Sequence, residues 1–93
     1  MKTFDDLEVS VDKHEGIRGS AFFDNGYGVV VTMSAFTKGG ILGKYELAVV
    51  RIPPGKTFSV ITNDTPIGEP VGFLSKEDVT KLMQQVSELA PNK

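Results

Sequence analysis

The sequence predicts one α+β domain: an antiparallel meander of three or four strands with a single C-terminal amphipathic helix packed on one face. Three observations carry this reading. Asp24-Asn25-Gly26-Tyr27 lies between two runs rich in β-branched and aromatic residues, the pattern of a tight hairpin. A third run, Tyr45 to Ile52, stops at Pro53-Pro54-Gly55, which cannot continue a strand. After Ser75, the residues Val79, Leu82, Met83, Val86 and Leu89 recur at helical spacing and form one apolar stripe.

The chain has 93 residues, read as a single domain over 1–93. That length supports one modest core. Hydrophobic residues make up 40% and charged residues 24%, the balance of a folded chain and not of a disordered one. There is no cysteine, so disulfides, thiolate chemistry and the usual structural zinc sites are excluded. No apolar stretch approaches the roughly 20 residues of a membrane span, so no membrane partner is expected. The N-terminus lacks the apolar segment of a secretory signal, and the expected location is cytoplasmic.

Taken in order, residues 3–8 read as one helical turn. Thr3 is its N-cap, Asp5 and Asp6 favour its positive end, and Phe4 and Leu7 anchor it. Residues 9–16 read as an extended or loop segment. Asn25 and Gly26 then read as the two central residues of a type I′ turn. This register sets Phe23 opposite Gly28 and Phe22 opposite Val29. Opposed residues share a face, so Phe22, Val29, Val31 and Met33 are expected on one face, with Phe23 and Val30 on the other.

Residues 35–44 form a glycine-rich connection. In the strand that follows, Tyr45, Leu47 and Val49 alternate with Glu46, Ala48, Val50 and Ile52, which places the two sets on opposite faces. Residues 57–62 read as a fourth strand, with Phe58 and Val60 on one side. Residues 63–74 read as a loop broken by Pro66 and Pro70. The helix runs from about Lys76 to Leu89. Ser75 is its N-cap, Asp78 stands in for the usual Glu of a capping box, and Pro91 stops it.

Several of these motifs occur together elsewhere. Phe4 to Leu7, Phe23 to Val31, Tyr45 to Val49, Asp64 to Ile67 and Asp78-Val79 together resemble a family of small uncharacterised proteins encoded by tailed bacteriophages. The resemblance spans nearly the whole chain. It implies a phage origin and a place in the host cytoplasm, and it brings no established activity. Two departures from the family's pattern are a longer glycine-rich loop after the hairpin and the lack of an acidic turn before residues 57–62.

The residues give little chemistry. His14 is the single histidine and reads as a surface residue beside Glu15. Asp5-Asp6 suits a helix end, and Asp64 before Thr65-Pro66 suits a turn. Gly39 to Lys44 reads G-x-x-x-G-K-Y, one residue short of a phosphate-binding loop and followed by a strand instead of a helix. No catalytic residue, metal ligand or cofactor is assigned, and the chain is not expected to be an enzyme.

Binding is the better expectation. Two candidate contact regions emerge. One is the 36–44 loop, where Phe36, Ile41 and Leu42 are apolar and Lys38 and Lys44 are charged. The other is the sheet face left bare by the helix, carrying Phe23, Val30, Val50, Ala48 and Ile52. The expected function is a phage-type accessory protein that binds a host protein non-covalently, as inhibitor or modulator. A second expectation is a nucleic-acid-binding module using Arg18, Lys38, Lys44, Arg51 and Lys56 with Tyr27 or Tyr45. The net charge of −2 disfavours it. A third is a homodimeric structural protein, in which a second copy covers the bare face.

Overall fold

The computed structural model describes residues 2–11, 16–34, 37 and 42–91. Its organising element is the hairpin of β2 (Ile17–Phe22) and β3 (Tyr27–Met33). The connection is longer than a two-residue turn. The Gly26 amide donates to the Phe23 carbonyl at 3.3 Å, and the Phe23 amide donates to the Tyr27 carbonyl at 2.8 Å. Gly26 has φ +85° while Asn25 does not enter the left-handed region. This is a type I turn followed by a glycine bulge, which adds a residue to the loop. The register is Ala21 opposite Val29 and Phe22 opposite Gly28. A shift of one residue turns every side chain of a strand to the other face. The sequence-based assignment of the two phenylalanines is therefore reversed: Phe23 packs against the core, and Phe22 lies on the bare face.

β4 (Tyr45–Arg51) pairs with β3, and β1 (Glu8–Val11) pairs with β2. β5 (Val60–Ile61) and β6 (Val71–Leu74) both pair with β4, at opposite ends. The result is a six-stranded antiparallel sheet with α1 (Lys76–Ser87) on one face. The α+β class and the meander are those the sequence predicts. β1 and β6 are additions to it: β1 forms mostly in the segment read as extended or loop, and β6 in the one read as loop. The expected strand over 57–62 shortens to two residues, and Phe58 is exposed.

Alternation sets the core. Ala21, Val29, Val31, Leu47 and Val49 point to the helix side and meet Leu74, Val79, Met83 and Val86. Val29, Leu47, Val79, Met83 and Val86 are wholly buried. A short 3-10 turn, Phe4–Asp6, closes one end of this layer. The Phe4 amide donates to the Thr80 hydroxyl at 3.0 Å, and the Phe4 ring meets Tyr45 edge-on at 4.9 Å.

Both ends of α1 are satisfied by side chains. At its start, the Asp78 amide donates to Ser75 Oγ and the Ser75 amide donates to Asp78 Oδ2, each at 3.1 Å. At its end, Asn25 in the hairpin loop donates through Nδ2 to the carbonyls of Val86, at 2.8 Å, and Leu89, at 3.1 Å. Its Oδ1 accepts from the Tyr27 amide at 3.1 Å.

Two outcomes follow. Met83→Ala should cost about 2–5 kcal/mol, as truncation of a wholly buried side chain does, measured by denaturant unfolding. The Ser75 backbone and side-chain hydrogen bonds hold the Asp78 carboxyl below the ordinary aspartate value, with Lys81 and Lys44 adding to this. A depressed folded-state pKa stabilises at pH above the unfolded value of about 3.9, and that stability disappears as pH falls through the folded value. Melting curves of Asp78→Asn and the parent should therefore differ at neutral pH and converge in acid.

Candidate binding face

The face opposite α1 is built in three rows that cross the strands, each fixed by the register. The first row runs Phe22, Gly28, Val50, Ile61. The second runs Glu8, Ser20, Val30, Ala48, and the third Ser10, Arg18, Thr32, Glu46. Across the three central strands of this face the rows therefore change from Phe22, Gly28 and Val50, through the uncharged Ser20, Val30 and Ala48, to Arg18, Thr32 and Glu46, with Glu8 adding a charge at the β1 end of the middle row.

Gly28 makes the first row possible. A Cβ at this position would stand 2.6 Å from both the Ala21 carbonyl oxygen and a Phe22 ring carbon. The missing side chain is the space the Phe22 ring occupies. Val50, next along the row, is buried to 2% exposure although it points away from the helix, and Ile61 beyond it remains 64% exposed.

Val30, Ala48 and Val50 floor a shallow hollow of about 290 Å³, with Arg18 and Glu46 on one side and Ile61 and Pro70 on the other. A larger, more open groove of about 960 Å³ lies at the hairpin tip, against Asp24, Asn25, Ser87 and Pro91. Three of its polar side chains are already used for structure. Asn25 holds the end of α1, Lys2 donates to the Phe22 carbonyl, and Asp6 accepts from the Thr3 amide at 2.7 Å.

The residues singled out in the sequence separate as follows. Val30 and Val50 lie on this face and Phe23 does not. Leu42 is 70% exposed and Lys44 is also exposed, both just before β4. Phe36, Lys38 and Ile41 lie outside the described residues, as does His14. Sequence reasoning missed Phe22, Ile61 and Arg18 as members of this face. Phe22 was hidden by the turn register; Ile61 and Arg18 follow from the strand pairings alone.

The described cations of the middle segment do not share a surface. Arg18 is on the bare face, whereas Arg51 is opposite Tyr27 on the helix side, beside Thr62 and Asp64. Lys56 is in the turn after β4. Tyr27 and Tyr45 pack against the core. Among the described residues, no three His, Asp or Glu side chains gather to hold a metal ion, and no helix is long and apolar enough to cross a membrane.

No family model, curated protein or solved structure matches the chain. The resemblance to phage-encoded proteins therefore rests on the motifs quoted above.

Gly28→Ala should destabilise the fold by about 1–3 kcal/mol, the usual cost of overpacking, because the added methyl meets backbone as well as the Phe22 ring. An unchanged unfolding midpoint would remove Phe22 from its place over Gly28.

Proposed function

We propose that this chain is a binding module, an accessory protein of phage type, whose sheet face opposite the helix engages a host protein. The observation that carries the reading is the composition of that face. Its hollow has an apolar floor of Val30, Ala48 and Val50, an exposed Ile61 at one rim and charged Arg18 and Glu46 at the other. A desolvated apolar centre with a polar margin is the usual anatomy of a protein-binding surface. Action by occupancy, as inhibitor or modulator in the host cytoplasm, needs no catalytic group. Nucleic acid is the less favoured partner. Arg18 and Arg51 lie on opposite faces, and the two tyrosines that would stack on bases pack against the core instead.

The test is affinity capture from host lysate at low and high salt, with Ile61→Asp and Arg18→Glu run beside the parent. A discrete protein kept by the parent at high salt and lost from Ile61→Asp, with melting unchanged, is the expected result. Recovery of nucleic acid at low salt only would favour phosphate contacts and sink the proposal. So would a protein retained equally by both variants.

A further inference from the structure

The two margins of the sheet are built differently. On the β4 side the margin is β5, two residues long, and β6, whose pairing with β4 slips by a residue. Pro70 precedes β6, and Phe73 within it is forced to φ +59°. Short strands, bulges and prolines are the devices that stop sheets from pairing edge to edge. β1 is as short as β6 but has neither a bulge nor a proline. Glu8–Val11 is regular, holds neither proline nor glycine, and is exposed along its length. Val9 is 58% and Val11 75% exposed.

We propose that β1 pairs with β1 of a second copy of this chain, antiparallel about a two-fold axis, joining two six-stranded sheets into one. Charge and facing select the register. Opposed residues share a face. Val9 and Val11 are on the helix side with Gly19 and Ile17, while Glu8 and Ser10 are on the other with Ser20 and Arg18. An axis through Glu8 sets two carboxylates against each other. An axis through Ser10 leaves Glu8 with no opposing residue in the strand. An axis through Val9 sets Val9 against its own copy and Glu8 against Ser10, both within the strand, and leaves only the uncharged Val11 unopposed. Ser10 has Arg18 on its other side, so the long Arg18 side chain reaches over a short serine towards the other copy's Glu8. Symmetry makes this contact twice. A contact centred on four residues per chain buries less than the roughly 1,000 Å² of a stable interface, so the association is weak and depends on concentration.

The chain's lack of cysteine makes the register directly testable, because any disulfide of a single-cysteine variant is intermolecular. Opposed residues of an antiparallel pair lie about 4.5–5.5 Å apart between Cα atoms, within disulfide reach. Under mild oxidation of the full chain, Val9→Cys should cross-link on the order of ten-fold faster than Ser10→Cys or Val11→Cys. A mixture of Glu8→Cys and Ser10→Cys chains should give mainly the mixed dimer. Reduced melting curves check that each variant folds, and sedimentation of the parent should show mass rising with concentration. Equal cross-linking rates at the three positions, or a parent monomeric at all concentrations, would overturn the proposal. Ile61→Asp lies outside this contact and leaves cross-linking unchanged, so failure here is separable from failure of the binding-face reading.

Discussion

The Asn25 carboxamide ties the two layers of this protein together. A helix ends with carbonyls that lack full partners within it, and one side chain from a hairpin loop reaches that end of α1, donating to the carbonyl of Val86 in its last turn and of Leu89 just beyond it, 61 and 64 residues away in sequence. The same side chain accepts from Tyr27 and thereby holds the loop in shape. The type I turn with its glycine bulge, the register of β2 on β3 and the position of the end of α1 are thus one arrangement. Each hydrogen bond contributes about 0.5–1.5 kcal/mol net. Their larger effect is to choose among alternatives, since the competing two-residue turn shifts the register and turns Phe22 into the core.

That choice also explains which parts of the structure were legible in the sequence. The helix, its cap and its stripe were legible because they are local: Ser75, Asp78 and the apolar spacing from Val79 to Val86 decide them without outside help. The alternation of β4 was equally clear. The hairpin was recognisable as a hairpin, but Asp-Asn-Gly fits two loop lengths. What separates them is a bond from Asn25 to residues beyond position 80, which no local pattern encodes. β6 was hidden for a related reason. Val71-Gly72-Phe73-Leu74 contains a glycine and follows Pro70, signals against a strand, yet β4 offers an open edge that accepts it with a bulge. β1 is too short for alternation to distinguish it from a loop.

The candidate binding face was half legible. Val30, Ala48 and Val50 followed from alternation in single strands. The gradient from Phe22 and Ile61 to Arg18 and Glu46 exists only once the strands are laid side by side, because its rows run across the chain. The two faces have different work. One is closed by α1 and supplies stability. The other holds an exposed isoleucine, a glycine filled by a neighbouring ring and a charged rim, and among the described residues of its three rows only Gly28 and Val50 are buried.

The bond from Asn25 to the end of α1 also orders events in time. A ribosome makes all six strands before it makes the helix that covers them. Until α1 emerges, Val29, Leu47 and their neighbours are wet and the hairpin loop has no carbonyls to hold, so the nascent sheet is open to the sticking that exposed apolar strands invite. Closure depends on contacts between distant parts of the chain, the class that forms slowly. For this protein, the hazardous interval of biosynthesis is the wait between the last strand and the helix that covers it.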